Sequence, residues 1–66
     1  MIRNLSDREL EVLRLVASGA TGDEIGYALG ISLRTVKAHL GKAYAFLEAV
    51  NAPHAVAIAF RKGILK

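Results

Sequence analysis

The sequence predicts an all-α fold: a compact four-helix domain that contains a helix-turn-helix. Three observations carry this expectation. Apolar residues recur at helical spacing, and no segment alternates with the period of a strand. A serine, threonine or asparagine stands where each apolar run begins, and a glycine follows three of the four runs. With 66 residues, one proline and no repeat or linker, the chain reads as a single domain over residues 1–66.

The first helix has the fullest start signal. In Leu5-Ser6-Asp7-Arg8-Glu9-Leu10, Ser6 and Glu9 have the spacing of a capping box. Leu5 and Leu10 form the matching hydrophobic staple. Leu10, Leu13, Val16 and Ala17 follow as the apolar face with Val12 alongside, and Gly19 ends the helix. Thr21 and Glu24 repeat the capping box for a second helix, whose apolar face is Ile25, Ala28 and Leu29 and whose stop is Gly30. Ser32 caps a third helix, which nothing in the sequence prevents from running from about Ser32 to Ala49. Asn51 and Pro53 suit the cap and first turn of a fourth. That helix ends at Gly63, with Arg61 and Lys62 in its last turn complementing the dipole.

Size and composition narrow the function. A domain this small buries only about 60% of the surface its unfolded chain exposes, so a stability of a few kcal/mol is expected. The chain has no cysteine, which excludes disulfides and thiolate metal sites. No carboxylate pair lies beside a histidine, no metal-ligand spacing occurs and no phosphate loop is present. Catalytic residues, metals and cofactors are therefore not expected, nor is an enzyme. A chain of this length should also lack room for a ligand pocket of about 300 Å³ or more. No apolar run approaches the roughly 18 residues that cross a membrane, and no signal-peptide core opens the chain. A cytoplasmic setting is expected.

Charge is divided unevenly. Residues 1–30 carry three arginines against five carboxylates, net −2, whereas residues 31–66 carry six cations against Glu48 alone, net +5. A basic half beside an acidic half points to a polyanionic partner, although many solvated surfaces are also basic.

The third helix sharpens the point. At about 100° per residue, Val36, Leu40, Ala43 and Leu47 fall in one arc flanked by Leu33 and Tyr44, the expected buried stripe. Opposite lie Arg34, Ala38, Gly41 and Ala45, small apart from the arginine. Lys37 sits on one shoulder; Thr35, His39 and Lys42 line the other, with Phe46 continuing that line nearer the core. The B-DNA major groove is about 12 Å wide and admits one helix, and small ridge residues let the backbone sit deep. Arg34 and Lys37 could then reach guanine acceptors while Thr35, His39 and Lys42 reach phosphates. Two other readings stay open. The face could simply be solvated, against which an interior glycine costs about 1 kcal/mol relative to alanine. It could instead pack on a partner helix, which calls for an apolar rim where this one is basic.

Ile25, Gly26, Leu29, Gly30, Ile31 and Val36 have the spacing of a helix-turn-helix unit, with a small residue four before the turn glycine. From Leu5 to Leu65 the chain resembles, without gaps, the DNA-binding domain of the LuxR family, the GerE-like helix-turn-helix. The run Glu24-Ile25, Leu29, Ile31-Ser32, Thr35-Val36-Lys37 and His39, with Ala55-Val56 and Gly63 later, carries the likeness. The resemblance implies a transcriptional regulator, or its DNA-binding domain, acting in a bacterial cytoplasm on the nucleoid. Its second and third helices would read double-stranded DNA, with the third in the major groove. The fourth helix would pair two domains on a dyad-symmetric site. The family's base-reading positions fall on Arg34, Lys37, Ala38 and Gly41, and its phosphate contacts on Thr35, His39, Thr21 and Gly22.

Departures from the family pattern are informative. Gly41 lies where relatives often place a long polar or basic residue, and Gly26 replaces the usual alanine. After the third helix relatives commonly show a basic residue, Leu, Gly and Val, where this chain has Phe46, Leu47, Glu48 and Ala49. Ala52 replaces a common arginine. On the fourth helix, Val56, Ala59 and Phe60 are expected to face the core. His54, Ala57, Ile58 and Arg61 are left outward as dimer contacts, in an interface small enough to be weak or formed only on DNA. The alternative function is a protein-interaction or inhibitor module that pairs with related regulators without strong DNA affinity of its own; related regulators and RNA polymerase are also candidate partners of the DNA-binding reading. The missing side chain at Gly41 and the acidic Glu48 make that alternative tenable.

Overall fold

The computed structural model describes residues 4–66, and its helices are α1 (Asp7–Ala17), α2 (Gly22–Leu29), α3 (Leu33–Leu47) and α4 (Ala52–Arg61). No strand occurs among the described residues. Each helix begins where a short polar side chain meets the first free amides. Ser6 accepts from the Glu9 amide at 3.1 Å, and Glu9 Oε1 accepts from the Ser6 amide at 3.1 Å, completing the capping box. Thr21 and Glu24 do the same at 3.2 and 2.8 Å. Ser32 caps α3 and Asn51 caps α4, accepting from the Thr35 and His54 amides respectively.

All four helices end with one device. The residue just past a left-handed position donates its amide to a carbonyl five residues back: Ala20 to Leu15, Ile31 to Gly26, Ala49 to Tyr44 and Ile64 to Ala59, at 2.8–3.0 Å. This bond satisfies a carbonyl the helix leaves free. The left-handed residue is glycine in three cases, Gly19, Gly30 and Gly63, and Glu48 in the fourth, at φ 56°. The third helix therefore stops at Leu47 rather than continuing to Ala49.

The core falls into two clusters, and α1 supplies both through adjacent residues. Val12 joins Ile25 and Val36, fully buried under α2 and the first half of α3. Leu13 joins Leu47, Ala55, Ala59 and Leu65 under the second half of α3 and α4. Leu40 packs against the first cluster and Tyr44 and Phe46 against the second, so the α3 stripe lies inward as expected apart from Leu33. The exceptions on the other helices are local. Val12 is central rather than lateral, while Ala17 and Ala28 are exposed.

α4 is rolled relative to the expected face. Ala55 and Ala59 are fully buried, and Phe60 lies outward, 49% exposed. Ile58, expected outward, is half-buried against the core. Small alanines bring the helix close to Leu13 and Leu47, which leaves no space for a phenyl ring there. Leu65, beyond the helix, folds back to supply the large apolar group instead.

Gly26 is set by this packing. A Cβ on it would lie 2.7 Å from the Ile31 carbonyl oxygen, closer than a carbon can approach an atom of the backbone. The turn between α2 and α3 is thus drawn tighter than an alanine permits.

Candidate nucleic-acid interface

The outward stripe of α3 is open along its length. Arg34, Ala38, Gly41 and Ala45 are exposed, as are Lys37 on one shoulder and Lys42 on the other. Thr35 and His39 are half-buried along the Lys42 side. No acidic residue occurs within α3, so its cationic side chains have no carboxylate on their own helix. The start of the helix is held by its hydroxyls. Ser32 Oγ accepts from the Thr35 amide at 3.1 Å and lies 3.0 Å from Thr35 Oγ1. At the far end, Tyr44 turns toward the core, where burial pushes its phenol pKa up.

Gly41 has no packing reason to be glycine. A Cβ there meets nothing within 4 Å, and its φ is not in the left-handed region. The cost of an interior glycine is thus borne at a position that faces away from the protein.

α2 brings a second group to the same end of α3. Thr21 is exposed, and its hydroxyl accepts the Glu24 amide, leaving its own proton for an outside acceptor such as a phosphate oxygen. Gly22 is half-buried because Leu33, the first residue of α3, lies over it: a Cβ on Gly22 would sit 2.6 Å from Leu33 Cδ1. Leu33 itself is 38% exposed, so it does not complete the buried stripe. Helical spacing alone places it there; its position in the first turn, with few neighbours on the N-terminal side, brings it to the surface. That was the signal available in the sequence.

The four residues expected at a dimer contact are not equivalent. Ala57 and Arg61 are exposed. Half-buried His54 is engaged locally, its Nδ1 accepting from the Val50 amide at 3.1 Å. Ile58 packs largely inward, and the exposed large apolar side chain of α4 is Phe60, which periodicity assigned to the core. Surface hollows of about 470 and 490 Å³ also occur, one lined by residues that include Arg14, Ala17, Phe60 and Leu65 and one by Glu9, Lys42, Ala45 and Phe46. Space of that size exists despite the short chain, but open at the surface. Among the described residues no group of three or more metal-ligating side chains comes together. Among the described residues no single helix is long and apolar enough to cross a membrane.

A tight two-helix turn that presents an acid-free, small-ridged helix beside a capped helix start defines a helix-turn-helix DNA-binding domain. The sequence comparisons agree. The family model for bacterial regulatory proteins of the luxR family, GerE, matches residues 3–59, and the chain belongs to that family of DNA-binding regulators rather than to an enzyme class. It is 48% identical over 50 residues to the putative HTH-type transcriptional regulator YhjB of Escherichia coli, covering 76% of this chain and 25% of that protein. It is 48% identical over 52 residues to the transcriptional activator protein CarR of Pectobacterium carotovorum, covering 79% of this chain and 21% of that one. It is 43% identical over 61 residues to the transcriptional regulatory protein YdfI of Bacillus subtilis, covering 92% and 29%. The crystal structure of the response regulator ChrA of a heme-sensing two-component system superposes with a TM-score of 0.93 at 31% identity, covering 98% of this chain and 32% of that one. The chain thus spans between a fifth and a third of the length of these proteins.

Proposed function

We propose that this domain binds double-stranded DNA with α3 in the major groove, Arg34 and Lys37 reading base edges while Ala38 and Gly41 let the helix sit close. Thr21, Gly22, Thr35, His39 and Lys42 contact phosphates on either side. Two copies pair weakly through α4 on a dyad-symmetric site, using Ala57 and Arg61 with Phe60 beside them. His54 and Ile58 contribute only their exposed edges. The setting is transcription regulation in a bacterial cytoplasm, on the nucleoid.

Gly41 is the observation that carries this reading. It is an interior helix glycine that neither packing nor backbone geometry requires, on the open side of a helix that carries cations and no acid of its own. A merely solvated face gives no reason to bear that cost, and a helix-packing face does not explain the basic shoulders. Selection of bound duplexes from a random pool tests it. The expected result is an enriched inverted repeat carrying two chains, with affinity falling at a log–log salt slope of about −0.9 per phosphate neutralised. Absence of binding at low salt, together with ready pairing to a related regulator, would replace it with the inhibitor reading.

A further inference from the structure

We propose that Leu33 determines sequence specificity by packing against the 5-methyl group of a thymine; this rests on the DNA-reading function above. Scattered exposed apolar side chains need no function. Tyr27, 93% exposed, and Val50, 83% exposed, are of that kind. Leu33 differs in its place, lying between the first turn of α2 and Lys37 on α3. Its Cδ1 occupies the space that any side chain at position 22 would need, since a Cβ there would lie 2.6 Å away. Leu33 thus lies across the start of α2, over Gly22, with 38% of its surface left outward.

The placement of that outward surface matches the chemistry of one base. Leu33 stands four residues before Lys37, on the same shoulder of α3. In a helix-turn-helix the first residues of the second helix approach base edges, while the first helix crosses the sugar–phosphate backbone. Leu33 bridges the two elements, between Lys37 and the first turn of α2. Thymine is the base that presents a carbon group in the major groove, its C5 methyl, and apolar side chains recognise it by contact. That methyl projects toward the backbone side of the groove, where the first helix of a docked helix-turn-helix crosses. Leucine has no donor or acceptor to offer there, so cytosine, which lacks the methyl, is discriminated against by lost contact alone.

The test uses the duplex selected from a random pool, with each thymidine replaced in turn by deoxyuridine, which removes the methyl and keeps the pairing. The wild-type protein should lose about fourfold in affinity at one thymine of each half-site, the value of burying one methyl-sized group. Leu33→Ala, shown to be folded by its circular dichroism, should bind the thymidine and deoxyuridine duplexes equally at that position. Its sensitivity elsewhere should be unchanged. Wild-type binding indifferent to every methyl would overturn the inference while leaving DNA reading in place, as would a Leu33→Ala protein with undiminished methyl sensitivity. Failure to select any duplex would instead remove the reading on which it rests.

Discussion

The turn that enters α3 and the turn that leaves it are closed by the same hydrogen bond but built from unlike residues. Before α3, Gly30 occupies the left-handed position and Gly26 lies under the Ile31 carbonyl, so the backbone is both relaxed and closely packed. After α3, Glu48 occupies the left-handed position, φ 56°, where a side chain costs about 1 kcal/mol. The packing beneath differs as well. Under the first turn lie Val12, Ile25 and Val36; under the second, Leu13, Leu47 and Leu65 pack against the small Ala55 and Ala59 of α4. The angle between α2 and α3 is thus locked, while the attachment of α4 bears strain. This is the arrangement expected if α2 and α3 must meet DNA in one register and α4 need only associate weakly.

The largest effect should come from emptying the first cluster. Ile25→Ala should cost about 2–5 kcal/mol, comparable to the whole stability of so small a domain, and is read by urea denaturation. A loss under 1 kcal/mol would mean that the first turn is not held by its core. The two interior helix glycines should then respond with opposite signs. Gly26→Ala drives a carbon against the Ile31 carbonyl and should destabilise by about 1–3 kcal/mol. Gly41→Ala enters open space and should stabilise by about 1 kcal/mol. Equal responses would dissolve the distinction between a glycine required by the fold and one that is not. The smallest effect is expected at the second turn. Glu48→Gly should raise stability by up to about 1 kcal/mol in the same denaturation assay; a loss of stability would show that the glutamate side chain contributes more than its backbone strain removes.

The same contrast accounts for what the sequence made legible. All four caps were readable because Ser6, Thr21, Ser32 and Asn51 each stand where amides are free and little else suits. The helix-turn-helix was readable because Gly26 and Gly30 have few other uses at that spacing. The outward stripe of α3 was readable because Arg34, Lys37 and Lys42 oppose a continuous apolar arc. α4 was not, because Ala55, Val56, Ala57, Ile58, Ala59 and Phe60 are apolar without interruption and leave periodicity nothing to choose by. Its roll was set by how closely alanines approach Leu13 and Leu47, a property of the neighbours. The end of α3 was hidden for a related reason: nothing local marks Glu48 as left-handed. Leu33 was assigned inward by angle alone, and Gly22, over which it lies, belongs to another helix.

Reading of bases by the exposed face of α3 is decided by comparing Lys37→Ala with wild type on the selected duplex and on random DNA. Lys37 is exposed and outside both core clusters, so the fold should be unaffected. A loss of about 1–3 kcal/mol on the preferred site, with a much smaller loss on random DNA, is the expected outcome. Equal losses on the two would reduce Lys37 to a phosphate contact and contradict base reading from this face.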